Sequence, residues 1–151
     1  MFKLLNKKKN NKGFTLVELV IVIAILAILV GLLAPQYTKY VEKTRRTADV
    51  DNMDEMVKAV QVYAVDNATN TSSTATAQAG KITLGSTVTV EGDLATTINA
   101  ALAEYVPNYT KLSKKSSKWS EAPYATLSID ADGKITADYG PNDFKTYSES
   151  K

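Results

Sequence analysis

The spacing of apolar and polar residues changes character along this chain. From Leu19 to Ala34 no side chain is polar or charged. With Phe14, Thr15, Leu16, Val17 and Glu18 ahead of it, the apolar run covers residues 14–34. As an α-helix that run is about 31 Å long at ~1.5 Å per residue, against a bilayer core of about 30 Å. Beyond it the pattern turns one-sided. Tyr37, Tyr40, Val41, Thr44 and Ala48 recur at steps of three and four, and Met53, Met56, Val57, Val60 and Ala64 continue the stripe after a slight shift. Lys39, Glu42, Lys43, Arg45, Arg46, Asp49, Asp51, Asp54, Glu55 and Lys58 take the other face. This is the signature of an amphipathic helix with one side to bury. The two stretches together predict one helix from about Phe14 to about Val65, roughly 75–80 Å if straight. Gly31 and Pro35 interrupt it, because proline removes a backbone donor and crowds the preceding turn.

The rest of the chain alternates at shorter range. Residues 67–79 are mostly Asn, Thr, Ser and Ala and read as a loop. Lys81–Leu84 and Thr87–Val90 alternate about Gly85-Ser86, a hairpin signal. Leu94, Ile98, Leu102 and Tyr105 lie at helical spacing and Pro107 follows, so a short helix is expected over Asp93–Tyr105. Tyr124–Ile129 and Lys134–Tyr139 predict a second hairpin, joined by Asp130-Ala131-Asp132-Gly133. The tail from Gly140 is polar and is expected to be loose. The fold class that follows is α+β: a long N-terminal helix, its apolar half membrane-spanning and its amphipathic half packed on a small antiparallel sheet. About 85 residues beyond the helix make a marginal core by themselves, so the helix stripe must supply one wall.

Composition removes whole classes of chemistry. There is no Cys and no His, so disulfides, thiolate or imidazole zinc sites and Ser-His or Cys-His pairs are excluded. No convergent nucleophile and base is visible, and nothing calls for a metal or cofactor; the chain does not read as an enzyme. The net charge of +2 is unevenly placed. Lys3, Lys7, Lys8, Lys9 and Lys12 precede Gly13 in a segment without acids, leaving 13 basic against 16 acidic residues after it. The later part is therefore no nucleic-acid binder by bulk charge.

The basic residues place the N-terminus on the cytoplasmic side of a membrane and the C-terminal part outside. A secretory signal peptide has a shorter apolar region and a small-x-small cleavage site, whereas here the run ends Leu32-Leu33-Ala34-Pro35. A plain anchor fits the length but leaves Glu18 unexplained. An acid inside an apolar span is costly and marks a function with a partner. A cut after Gly13 would give Phe14 a free amine, a cation that Glu18 of a neighbouring copy would pair with. At about 4 Å and an effective dielectric near 20 the attraction is ~4 kcal/mol before desolvation.

Lys12-Gly13-Phe14-Thr15-Leu16-Val17-Glu18-Leu19 resembles the class III signal sequence of type IV prepilins and pseudopilins. The resemblance extends through the apolar run to Pro35 and covers roughly residues 7–66. It implies cleavage by a prepilin peptidase between Gly13 and Phe14, N-methylation of Phe14, assembly through Glu18 and Phe14, and a helix break at Gly31 and Pro35. It also implies the pilin fold. The domains expected are a basic leader at 1–13, a transmembrane and assembly helix at 14–35, its amphipathic continuation at 36–66 and an α+β head at 67–151.

Three further features have two readings each. Asp130-Ala131-Asp132-Gly133 has the opening spacing of a calcium loop but lacks the closing glutamate, and reads better as an Asp-Gly turn. Lys111, Lys114, Lys115 and Lys118 stand near Trp119, Tyr105 and Tyr109. Such a set holds single-stranded nucleic acid or is an exposed loop around one buried tryptophan; DNA is compatible with the segment, and nothing else in the chain supports it. Asn67-Ala68-Thr69, Asn70-Thr71-Ser72 and Asn108-Tyr109-Thr110 match a glycosylation triplet that is common by chance.

The function implied is a structural subunit of a type IV pilus, a homo-oligomer in a helical filament with other pilins as partners. Such filaments serve adhesion, twitching motility or DNA uptake. The subunit would sit in the cytoplasmic membrane as a single-pass protein before assembly and in an extracellular filament after it. The alternatives are a pseudopilin of a type II secretion or competence system and a membrane-anchored binding protein that never polymerises.

Overall fold

The computed structural model describes residues 13–67, 79–130 and 132–151. The leader lysines, most of the polar loop and the triplet at Asn70 lie outside the described residues. The first helix, α1, runs Leu16–Asp66, close to the expected limits. The described chain divides into two compact units at Tyr40.

The first unit is the apolar part of α1. Every described side chain from Gly13 to Tyr40 is exposed. An 18-residue window of the helix has a mean hydropathy of 3.2 and none of it is buried, so the segment is long and apolar enough to cross a membrane. α1 is continuous through Gly31, with Pro35 inside it. The loss at Pro35 is a single hydrogen bond, the one its nitrogen would have given the Gly31 carbonyl. Bonds on either side carry the helix through. Thr38 Oγ1 donates to the Pro35 carbonyl at 2.9 Å within the same turn.

The second unit begins at Val41. It holds the rest of α1, strands β1 (Ala79–Leu84) and β2 (Val88–Gly92), helix α2 (Ala95–Tyr105), a short 3-10 turn at Tyr109–Lys111, strands β3 (Tyr124–Ile129) and β4 (Ile135–Gly140), and helix α3 (Asn142–Glu149). The sheet order is β2-β1-β3-β4 and all pairs are antiparallel. Both predicted hairpins and the predicted α2 are present. The α+β class therefore holds, with a long N-terminal helix and a small antiparallel sheet.

Period-two alternation gives the sheet one buried face. Ile82, Leu84, Ala125, Leu127 and Ile135 point inward, while Thr126, Ser128 and Thr136 are exposed. Val50, Met53, Met56, Val57 and Val60 of α1 meet that face, joined by Leu94, Ile98 and Leu102 from the α2 segment. Gly80 lets α2 lie close on β1, since a Cβ there would stand 2.5 Å from Ile98 Cδ1. Gly140 does the same for an aromatic ring: a Cβ would fall 2.3 Å from Tyr124 Cζ.

Two expectations fail in this unit. The tail from Gly140 is not loose but forms α3, whose Phe144 is fully buried against Trp119. The α1 stripe is also displaced. Thr44 is exposed, as are Tyr37 and Tyr40 in the first unit, whereas Asp49, assigned to the charged outer face, is wholly buried.

Candidate functional site

The helix start is built by four residues. Thr15 Oγ1 accepts from the Glu18 backbone N–H at 3.3 Å, and Glu18 Oε2 accepts from the Thr15 N–H at 3.0 Å. This reciprocal pair is a capping box, Thr at the cap and Glu three residues on. It satisfies two backbone donors that the first turn otherwise leaves open. The carboxylate also lies at the positive end of the helix dipole. Thr15-x-x-Glu18 ahead of an apolar run is the sequence sign of such a box. The expectation from sequence gave Glu18 a partner only on another copy; it has one in its own chain as well. Phe14, just before the cap, is 84% exposed. A Cβ at Gly13 would meet nothing within 4 Å, so the fold itself does not require glycine there.

A second constellation ties the lysine-rich segment to α1. Asp49 accepts three hydrogen bonds: from Lys115 N at 2.6 Å, Ser116 N at 2.9 Å and the Trp119 indole N–H at 2.9 Å. Ser116 Oγ donates to Glu42 Oε1. Arg46 Nη2 donates to the Lys118 carbonyl at 3.2 Å, and its guanidinium lies 4.6 Å from the Trp119 ring centroid. These α1 residues are a turn apart, at positions 42, 46 and 49, so one helix face holds the whole segment. Burying a carboxylate is tolerable here because three N–H groups satisfy it.

Of the two readings of the lysine-rich segment, this geometry favours the loop around a buried tryptophan. Trp119 is only 5% exposed. Phe144 and Tyr147 meet its ring edge-on at 5.1 and 5.7 Å between centroids. Trp119 therefore offers no stacking face to a base. Lys111, Lys115 and Lys118 are exposed and Lys114 is half-buried, the arrangement of a solvated loop around a buried anchor.

Asp130 Oδ1 accepts from the backbone of Asp132 at 3.1 Å and of Lys134 at 2.8 Å, and Gly133 takes a φ of 79°. The carboxylate is thus used in closing the β3–β4 turn, which bears out the Asp-Gly turn. Among the described residues no group of three or more Asp and Glu side chains is placed to hold a metal ion. Two tyrosines pin elements to α1 by donating to carboxylates: Tyr139 to Asp54 at 2.8 Å and Tyr105 to Asp66 at 2.6 Å. Burial, then the Asp54 bond, pushes the Tyr139 phenol well above its ordinary range. The Asp66 bond is the main cause that pushes Tyr105 up to about 12.

Residues 8–34 match the family described as the prokaryotic N-terminal methylation motif. No curated protein and no solved structure matches the chain. The motif ends where the apolar run ends and contains Gly13, Phe14, the Thr15–Glu18 box and Gly31. That motif at its N-terminus, a long helix whose first half is apolar on every side, and a small antiparallel sheet together support a type IV pilin-like protein.

Proposed function

We propose that this chain is a structural subunit of a type IV pilus. A prepilin peptidase cuts it between Gly13 and Phe14 and methylates the new amine. Residues 14–35 hold it in the cytoplasmic membrane until it joins a filament of its own copies and other pilins on the cell surface. The observation that carries this reading is the bare apolar half of α1, exposed on every side from Leu16 to Leu33. No face of it is covered by the described residues, so lipid first and neighbouring copies later supply the apolar surroundings it needs. The methylation motif over 8–34 supports the processing steps. Gly13 serves the cut rather than the fold, since the fold leaves room for a side chain there. Glu18 spends Oε2 on its own cap and offers Oε1 to the Phe14 amine of a neighbour. Gly31 and Pro35 mark where the helix is one bond short and yields when packed.

The capping box supplies a test that separates two roles of one side chain. Glutamine caps as glutamate does but carries no charge. Glu18→Gln and Glu18→Ala should both be cut, as read by the mass of the N-terminus in protein from native cells. Both should lose fibres. Thr15→Ala, which keeps the acid, should retain fibres at reduced yield. Normal fibres from Glu18→Gln would show that the cap alone matters and would sink the ion-pair assembly step. A native terminus at Met1 rather than methylated Phe14 would sink the processing.

A further inference from the structure

The bonds around β1 fix which way the main chain of β2 faces. Leu84 N donates to the Pro123 carbonyl at 2.8 Å, in the register that sets Thr83 opposite Tyr124. Leu84 therefore turns its main-chain groups toward β3. In a strand the N–H and C=O of one residue point to the same side, and the next residue points to the other. Ile82 and Gly80 thus face β3 too, while Thr83 and Lys81 face β2. Ala79 keeps the alternation: its carbonyl accepts from Leu94 N at 3.3 Å, on the β2 side. Thr83 and Lys81 stand opposite Thr89 and Glu91, so those two residues carry the β1–β2 bonds. The main-chain groups of Val88 and Val90, and the Gly92 N–H, then face away from the sheet. Among the described residues no group outside β1 is hydrogen-bonded to the main chain of Val88–Gly92.

The other edge of the sheet is guarded. Gln61 Nε2 donates to the Ile135 carbonyl at 3.4 Å, and Lys145 of α3 bonds to Asp138 at 2.6 Å. β2 lacks the usual guards: it has no proline, no lysine and an unbroken register without a bulge. Thr89 and Glu91 are exposed on its outer face. Val88 and Val90 lie on the core side yet are only half-buried. A strand laid along this edge would finish covering them.

A second copy of β2 fits there by its own sequence. Run antiparallel about Val90, each Val90 faces its counterpart and each Val88 faces a Gly92. The two Val90 side chains meet on the core side. On the outer face each Glu91 stands beside a Thr89 of the other copy, carboxylate to hydroxyl. A slip of the partner toward Gly92 would instead set Glu91 against Glu91, and like charges directly opposite are destabilising.

We propose that the β2 edges of two copies pair antiparallel about Val90 and join their sheets into one. Such a contact is two-fold and closes after two chains, so it cross-links chains rather than building a filament. One short strand pair is weak; along filaments of the kind proposed above, many would add up. The inference concerns the second unit alone and holds whether or not the chain is cut or polymerised.

The chain contains no Cys, so introduced thiols report on single contacts. Full-length Thr89→Cys and Glu91→Cys proteins are purified in detergent and oxidised separately and as an equimolar mixture. Thr136→Cys, exposed on β4, gives the collision baseline. Residues directly opposite at a non-hydrogen-bonded position have Cα atoms about 4.5 Å apart and bridge, whereas diagonal neighbours are about 7–8 Å apart and do not. The mixture should therefore form disulfide dimers above the baseline, and either protein alone should stay at it. Thr89→Lys, which sets a cation beside each Glu91, should tighten the dimer by roughly threefold or more in sedimentation equilibrium, and Thr89→Glu should weaken it by as much. High salt should shrink both differences. Val90→Pro removes an outward N–H and no bond to β1, and should abolish the dimer; Trp119 emission checks that the unit stays folded. Baseline crosslinking in the mixture overturns the pairing. A dimer indifferent to both Thr89→Lys and Thr89→Glu assigns association to another surface and overturns it too. Slow amide exchange at Val88 and Val90 in dilute monomer would show that the chain covers its own edge, with the same consequence.

Discussion

Replacing Asp49 with alanine removes the acceptor of three hydrogen bonds at once. The side chain is wholly buried, and Ser116 N and the Trp119 indole are buried with it. A buried donor left without a partner costs about 1–3 kcal/mol. Lys115 N, on an exposed residue, turns to water more cheaply. Two stranded donors and one partly rescued one come to about 3–5 kcal/mol. Asp49→Asn keeps the shape and one acceptor oxygen but turns an NH₂ toward N–H donors, and should cost about 1–3 kcal/mol. Asp51→Ala is the control. It is a near neighbour on α1, exposed and paired with Lys151, and surface changes of this kind stay within about 0.5 kcal/mol. The assay is urea unfolding of the full chain in detergent, which keeps the apolar segment solvated. Trp119 is the sole tryptophan, so its fluorescence follows the second unit alone. A loss below about 1 kcal/mol for Asp49→Ala, with the emission still that of a buried indole, would refute the reasoning.

Other outcomes follow from the same packing. Phe144→Ala should cost about 3–5 kcal/mol in that assay and shift Trp119 emission to the red, because it opens a fully buried site beside the indole. Gly140→Ala should cost about 1–3 kcal/mol, since its Cβ meets the Tyr124 ring at 2.3 Å; the cost should shrink in a Tyr124→Ala background. Stability should fall as pH rises above about 10, the ordinary phenol pKa. The folded state holds the protons of Tyr139 and Tyr105 more tightly than the unfolded chain does. Their contribution is therefore full below pH 10 or so and is lost as pH climbs through the raised values, about 12 for Tyr105. Tyr139→Phe should flatten the alkaline limb in a series of unfolding curves.

Much of this was legible because it is local. Both hairpins announce themselves by alternation over a few residues, and α2 by four apolar residues at helical spacing. Asp49 was illegible for the opposite reason. Its partners lie 66, 67 and 70 residues away, and a charged residue between Ala48 and Val50 gives no sign that backbone donors will come to it. Sorting a helix by charge put it on the wrong face. In α3 only Phe144 and Tyr147 are large and apolar among eight residues, too few to stand out from a polar tail, and the ring that buries Phe144 belongs to Trp119. Tyr37 and Tyr40 kept the period of the stripe, but a period tells which residues share a face and not what covers it. At the helix start the signal was present in four letters. The Thr15–Glu18 box is a local pattern, overlooked because the acid was weighed for its charge and not for its hydrogen bonds.

That box also fixes a frontier in the chain. Proteases grip their substrates in extended form, and a hydrogen-bonded turn resists being drawn out. Gly13, Phe14 and Thr15 precede the first helical residue, Leu16. The peptide between Gly13 and Phe14 is thus among the last that can be straightened without unwinding anything. Sliding the Thr-x-x-Glu pattern one residue toward the N-terminus would draw Phe14 into the cap and stiffen the backbone beside that peptide, while sliding it away would lengthen the free stretch. If the proposed cut falls between Gly13 and Phe14, the cap works as a ruler, setting how far along the chain an enzyme can read before it meets structure.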